Sequence, residues 1–363
     1  MVLELSTDTV YVDSETLERF IVDVFRCVGV PDPDAEVCAD VLISADRQGI
    51  DSHGISRLKP IYIDRIRAGQ QSPVTKIELV REGPTTAVLD GHNGMGMVVA
   101  KMAMSLAIEK AKKFGMGMTV VRNSTHYGIA GYYAQMAVSE DLIGITGTNA
   151  RPSISPTFGT ENMLGTNPLT FGMPTDEPFS FMIDCATSII QRGKVEVYAR
   201  IGKKIPEGLV IDSNGEYMTD PAEILRHLTR GEAALLPLGG LEETGGYKGY
   251  GYATVVEILS AALQGGSFLK ALTGTNLGHF FIAIDVSAFT DPEEFKKTTG
   301  DILRAIRASR KMPGHNRIYT AGEKEHITWL ERKKTGIPLN LSLQKELTQL
   351  RDECNLNQYS FPF

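Results

Sequence analysis

Apolar residues recur along this chain with two different periods, and the switch between them sets the expected architecture. Leu17, Phe20, Ile21, Val24 and Phe25 fall on one helical stripe, with Ser14 placed to cap its start. Asp32-Pro33 restarts the chain, Asp at the N-cap and Pro in the first turn of a second helix whose buried face is Val37, Cys38, Val41 and Leu42. That helix ends near Gly49, Asp51-Ser52-His53-Gly54 follows at once, and residues 55–66 read as helical again. From Thr86 the pattern alternates: a short strand over 87–90, a glycine turn at 91–96, and a long helix over 97–114. A buried strand over 118–121, a helix over 130–139 and a strand over 142–147 come next. Residues 149–165 read as an irregular loop, 171–174 and 181–184 as strands, 188–202 as a helix, and the stretch to Asp220 as solvated. A glycine-rich segment over 238–251 precedes an apolar helix over 252–263. A buried strand over 278–285 and three amphipathic helices (291–310, 323–334 and 342–353) close the chain. Strands interleaved with helices imply an α/β layer structure.

Composition narrows the functional class. A chain of 363 residues is too long for one small core and suits two domains, or one large α/β domain with appendages. The formal net charge is −7 with acids and bases interspersed, which speaks against a nucleic-acid or anionic-membrane surface and still allows a local basic pocket for one small anion. No apolar run approaches the roughly 20 residues of a membrane span, and the first six residues lack the pattern of a secretory leader. Cys27, Cys38, Cys185 and Cys354 are scattered without CxxC spacing, so four reduced thiols in a cytoplasmic protein are expected.

Four stretches carry candidate chemistry. Asn123-Ser124-Thr125-His126-Tyr127-Gly128 places His126 between a strand end and a helix start, where α/β proteins hold reactive groups, although a turn histidine serving only the backbone fits as well. Asp51-Ser52-His53-Gly54 with Arg57 reads either as a proton carrier and a guanidinium fork one turn apart, the fork matched to a carboxylate, or as an N-cap Asp or Ser with a surface His and Arg. Gly245-Gly246-Tyr247-Lys248-Gly249 enters a helix and reads either as an anion cradle or as a hinge. Asp184-Cys185-Ala186-Thr187-Ser188 ends a strand, with Arg192 and Lys194 beyond it, and reads as a pyrophosphate or ribose site or as an ordinary capped helix. Gly94-x-Gly96 lacks the third glycine of a dinucleotide fingerprint and reads as a tight turn. The seven histidines are dispersed without metal-ligand spacing, so no metal is expected, and no GxSxG elbow occurs.

Together these stretches resemble the malate/L-lactate dehydrogenase family of the non-Rossmann type. That family also holds sulfolactate and ureidoglycolate dehydrogenases and diketogulonate and piperideine-carboxylate reductases. The matching segments are Asp51-Ser52-His53-Gly54-x-x-Arg57, Asn123 to Gly128, Gly165-Thr166-Asn167-Pro168, Asp184 to Ser188, Ile205-Pro206-Glu207-Gly208, Leu235 to Gly240, Gly246 to Gly251 and Gly322-Glu323. Gly165-Thr166-Asn167-Pro168 with Ile205-Pro206-Glu207-Gly208 looks most like the malate dehydrogenase branch. Cys185 stands where the family usually has Met, and Ala321 where it usually has Pro.

The resemblance implies an α/β fold with a mixed-sheet, non-Rossmann NAD(P)-binding domain over 81–290 and helical segments over 1–80 and 291–363 that pack together. It implies a homodimer. It implies a hydride transfer between NAD or NADP and a small 2-oxo or 2-hydroxy acid, oxaloacetate/malate for preference. Lactate, sulfolactate, ureidoglycolate, diketogulonate or a cyclic imino acid are the alternatives, with a non-catalytic dinucleotide-binding protein behind them. His126 or His53 would move the proton, His126 being preferred, and Arg57 would hold the substrate carboxylate. Asn149, Asp184, Cys185, Ala186, Thr187, Arg192, Lys248, Gly249, Gly322 and Glu323 would line the cofactor. Lys59, Arg65 and Arg151 are candidates for the second carboxylate of malate, and Arg192 and Lys194 for a 2′-phosphate.

Overall fold

Alternating strand positions send side chains to opposite faces of one sheet, and two sets of helices cover those faces. In the computed structural model, which describes residues 8–363, the chain begins with β1 (Val10–Val12), α1 (Ser14–Cys27) and α2 (Asp32–Arg47). Residues 1–6, expected not to form a secretory leader, lie outside the described residues. A 3-10 turn (Ile55–Arg57), a π-helical turn (Leu58–Ile63) and α3 (Asp64–Arg67) follow. Then come β2 (Glu78–Glu82), β3 (Thr86–Asp90), α4 (Gly96–Phe114), β4 (Met116–Ser124), α5 (Ala130–Val138) and β5 (Leu142–Thr148). The chain continues through β6 (Leu169–Met173), β7 (Phe181–Cys185), α6 (Arg192–Arg200), β8 (Val210–Asp212), α7 (Pro221–Arg230) and β9 (Ala233–Leu235). It closes with α8 (Gly246–Ala261), β10 (Leu277–Asp285), α9 (Pro292–Ala308), α10 (Glu323–Thr335), β11 (Ile337–Leu339) and α11 (Leu341–Glu353).

Seven strands form the main sheet in the order β2-β3-β4-β10-β5-β6-β7. Only β3 and β4 run parallel, joined by the long crossover helix α4; every other pair is antiparallel. This is the mixed sheet expected, without Rossmann order. Val121 and Phe281 point toward α4 and α5, while their neighbours Val120 and Phe280 pack with Val256 of α8 on the other face. A separate apolar core joins α1, α2 and the π-helical turn to β11 and α11, with Phe20, Phe25 and Tyr62 beside Leu339, Leu347 and Leu350. β1 pairs with β11 and so ties the two chain ends together. A small lobe is built from the β8–β9 pair, α6 and α7.

Several expectations change in the structure. α1 is capped by Asp13, whose carboxylate accepts from the Thr16 N–H at 2.9 Å, and Ser14 is the first helical residue. α2 begins at Asp32 after Pro31 and has no side-chain cap. The helix expected from Ser188 starts at Arg192, because Ser188 bridges to Pro237 and Ile189 is bonded to Leu236 in extended form. The glycine-rich segment is no hinge. α8 starts at Gly246, ahead of the expected Tyr252, and a Cβ on Gly249 would overlap the Leu238 carbonyl, so glycine is what lets this helix end lie on the 238–240 backbone. β2 was not legible because every one of its positions is exposed, leaving no alternation to read.

The expectation of four reduced thiols is corrected: Cys27 and Cys354 form a disulfide, with Cα atoms 5.8 Å apart and 327 residues between them in sequence. The ends of α1 and α11 meet only because both helices share the apolar core, a contact that cysteine spacing does not encode. Cys38 is buried and free, and Cys185 is half-buried and free. Two thiols should therefore react in the denatured, unreduced chain and four after reduction, counted by a thiol-specific chromophore. Cys27→Ser should lower the unfolding free energy by about 2–4 kcal/mol in urea melts under non-reducing conditions.

Candidate active site

His126 is fixed from two sides before any ligand is considered. It lies in the loop between β4 and α5. The preceding Thr125 hydroxyl accepts from the Gly96 N–H at 2.9 Å and donates to the Gly94 carbonyl at 2.8 Å, pinning the loop to the start of α4. A Cβ on Gly96 would overlap the Thr125 and His126 carbonyls, so the tight turn expected from Gly94-x-Gly96 serves this close approach. On the far side Tyr127 stacks on buried His279, ring centroids 4.5 Å apart, and Asp184 accepts from the Gly131 N–H at 2.7 Å at the start of α5.

His53 and Arg57 arrive from the N-terminal segment. Their turn is held by the Ile55 N–H on the buried Asp46 carboxylate at 2.7 Å and by Arg332 of α10, which grips the Asp51 carboxylate with both arms. Burial raises the Asp46 carboxyl to about 8. Arg57 donates through Nε to the Ser52 carbonyl, and the Ser52 hydroxyl lies 2.9 Å from His53 Nδ1. The two segments meet face to face: the His53 and His126 rings stack with centroids 5.8 Å apart and planes 19° from parallel.

Tyr62 completes this contact. Its fully buried hydroxyl lies 2.6 Å from His126 Nδ1, which also receives the Gly128 N–H at 3.2 Å. Nε2 of His126 is left without a hydrogen-bond partner among the described residues. A phenol can donate to Nδ1 or accept from it, so Tyr62 suits either protonation state of the ring. Burial, then His53, Arg57 and Arg65, hold His126 well below the usual imidazole range. Burial and Arg57 push His53 down to about 4. Both rings are neutral at pH 7 in the free protein.

His126 opens into a cleft of ≈ 620 Å³ that also takes in Ile61, Arg65, Arg151, Thr166 and Arg192. Arg65 and Arg151, which line the cleft, and Arg57, which does not, have no carboxylate partner among the described residues, whereas Lys59, also outside its lining, is paired to Asp64 at 3.0 Å. Ser153 Oγ and Asn162 Oδ1, on residues lining the cleft, are buried without hydrogen-bond partners.

Of the residues named from sequence for the cofactor, Arg192 lines the cleft, paired to Glu196 at 3.3 Å, and the others fall into three groups. Thr187 bonds through its N–H to the Thr166 carbonyl at 2.9 Å, and the Leu238 N–H bonds back to the Thr187 carbonyl at 2.7 Å. Gly249 packs on Leu238, so the buried Thr187 at the end of the Cys185-Ala186-Thr187 stretch is joined through Leu238 to the start of α8, where Lys248 is exposed. Asn149 and Asp184 are committed internally: Asn149 bonds to the Ser267 carbonyl and the Gly278 N–H, and Asp184 to Gly131 and Thr170. Gly322 and Glu323 lie elsewhere, beside β7, where the buried Glu323 carboxylate faces Arg317 and Arg307 around a second hollow that does not include His126. Tyr62 was missed by the sequence reading. It is one apolar position of a helical stripe, and nothing local to it signals a partner 64 residues away. No group of three or more metal-ligating side chains occurs among the described residues, and no helix among them is long and apolar enough to cross a membrane.

Residues 12–348 match the family model described as malate/L-lactate dehydrogenase. The chain is 45% identical to a malate dehydrogenase of Pyrococcus horikoshii, covering 93% of this chain and 94% of that one. It is 40% identical to an L-sulfolactate dehydrogenase of Methanocaldococcus jannaschii, covering 94% and 97%. The crystal structure of malate dehydrogenase from Entamoeba histolytica superposes with a TM-score of 0.94 at 47% identity, covering 98% of this chain and 100% of that one. With a mixed sheet in place of a Rossmann core and matches that run nearly end to end, the chain belongs to the malate/L-lactate dehydrogenase family, oxidoreductases that act on the CH–OH group of small hydroxy acids with a nicotinamide cofactor.

Proposed function

We propose that this enzyme interconverts malate and oxaloacetate, with His126 as the proton carrier and Arg57 holding the carboxylate beside the reacting carbon. The observation that carries this reading is the stacked His53–His126 pair, with Tyr62 on His126 Nδ1, at the mouth of a cleft bearing unpaired arginines. Nicotinamide, when bound, supplies or takes the hydride. Ser153 Oγ and Asn162 Oδ1, buried on residues lining the cleft and without hydrogen-bond partners among the described residues, fit the hydroxyl and amide groups of a dinucleotide, and exposed Lys248 at the start of α8 suits its phosphates.

The residues then act in a simple order. Arg57 orients the carboxylate as a fork, fixing the carbonyl toward the hydride donor. His126 Nε2 faces the carbonyl oxygen and gives it a proton in reduction; in oxidation it takes the hydroxyl proton while Nδ1 is held by Tyr62. His53 braces the opposite side. The arginines and burial keep both rings neutral in the free enzyme, and a dianionic substrate offsets those cations, so the ring gains its proton together with the substrate.

The test is loss of NADH or NADPH absorbance with oxaloacetate, pyruvate and the cyclic-imine and diketo-acid substrates of related reductases. Oxaloacetate should be the preferred substrate, and paired titrations identify the cofactor. Cofactor binding with no turnover on any of them would mark a non-catalytic binder and overturn the proposal. His126→Gln should lower kcat by about 10²–10⁴-fold, and His53→Gln should act mainly on KM. The reverse pattern would assign the proton to His53, and near-normal turnover in both variants would remove the mechanism.

The depressed histidine pKa fixes the sign of the pH dependence. Oxidation needs a neutral base, which the free enzyme already has, so kcat/KM for malate should stay flat from the alkaline side down through 6.5 and fall only in more acid solution. Reduction takes up one proton, so kcat/KM for oxaloacetate should fall about tenfold per unit as pH rises through 7. Initial-rate profiles in both directions read this directly.

We also propose a homodimer. Tyr252, Val255 and Ile258, three apart on α8, are exposed and form an apolar stripe suited to a second copy of the chain. Light scattering should give twice the 39.7 kDa chain mass, and Ile258→Glu should return it to the monomer value.

A further inference from the structure

The reading as a malate dehydrogenase leaves open what selects a second acidic group, and the cleft holds a feature built for that task. Arg65 and Arg151 enter it from different parts of the chain, one from α3 and the other from the loop after β5, and converge on Gly274. Arg65 donates through Nη1 to the Gly274 carbonyl at 2.9 Å. A Cβ on Gly274 would lie 3.3 Å from Arg151 Cδ and 3.4 Å from Arg65 Nη2, so the turn with φ +93 brings both stems against one backbone point. Two like charges are thereby held side by side with no carboxylate between them among the described residues. Their repulsion shows on Arg65, which burial and then Arg151 make less ready to stay charged. Such an arrangement costs stability unless an anion arrives to relieve it.

We propose that Arg65 and Arg151, set by the Leu272–Leu277 loop through Gly274, form the specificity clamp for the second acidic group of the substrate, a carboxylate or a sulfonate. Arg57 and the histidines then handle the 2-oxo acid end common to all substrates, and the Arg65–Arg151 pair decides which tail is accepted. The irregular π-helical turn serves both ends: Tyr62, inside it, meets His126, and Arg65, directly after it, meets Gly274. Lys59, the third basic candidate, is neutralised by Asp64 and takes no part.

This inference rests on the proposed activity, and its experiment separates the two. The wild-type enzyme, Arg65→Met, Arg151→Met and the double variant are assayed with oxaloacetate, 3-sulfopyruvate and pyruvate, and the KM of the cofactor is measured alongside. The ratio of kcat/KM for oxaloacetate over pyruvate should fall about 100-fold in the double variant, with the cofactor KM little changed. A matching fall for 3-sulfopyruvate means that the clamp reads any second anion, and a smaller one means that it is tuned to carboxylate geometry. A ratio that stays constant, or a loss that follows the cofactor KM, overturns the inference. A wild-type enzyme inert toward every 2-oxo acid would overturn the proposed activity instead.

Discussion

The hydrogen bond between Tyr62 and His126 is the contact on which the site depends. One partner belongs to the core made by the chain ends, the other to the loop at the end of β4 in the central sheet. Neither body contains the site alone. The sheet supplies a histidine pinned by Thr125 below and by Asp184 at the next helix, together with Arg151 after β5, while the N-terminal segment supplies the second histidine, Arg57, Arg65 and the phenol. Because Tyr62 is fully buried in the apolar core, any shift between the two bodies would strand a phenol hydroxyl without a partner, at a cost of roughly 1–3 kcal/mol. The register of the site is therefore enforced by ordinary core packing.

The same logic explains the charge arrangement. A net acidic protein concentrates unpaired arginines in one cleft, next to imidazoles that burial has kept neutral. Cationic imidazoles would repel the arginines; neutral ones leave the positive potential for the ligand. Asp51 brings negative charge behind His53, but Arg332 absorbs it, while Asp46, kept protonated by burial, accepts from the Ile55 N–H. Second-line residues such as these hold the turn of His53 in place without competing for the anion.

Much of this was readable from the sequence, and the exceptions have physical reasons. The long elements were legible because their faces differ: α4 from its apolar Ala and Met positions, β10 from its unbroken apolar run. Of the elements that were missed, β1, β2, β8, β9 and β11 are only three to five residues long, too short to show a period, whereas α7 has a clear amphipathic pattern with Ile224 buried and was passed over. His53, Arg57 and His126 were found because polar residues at element ends stand out from their neighbours. Tyr62, the Arg65–Arg151 convergence and the disulfide were not, since each joins positions far apart in sequence through packing alone. Glu323, a motif position named for the cofactor, sits in a buried ion cluster with Arg307 and Arg317, away from the histidine cleft.

The bridge between Cys27 and Cys354 has a topological meaning beyond its contribution to stability. It turns almost the whole polypeptide into a closed loop, with the stacked histidines, the sheet and the small lobe inside it. A single backbone cut anywhere in that loop leaves one covalent molecule rather than two fragments. The exposed turns around β8 can therefore be nicked without releasing either half of the site.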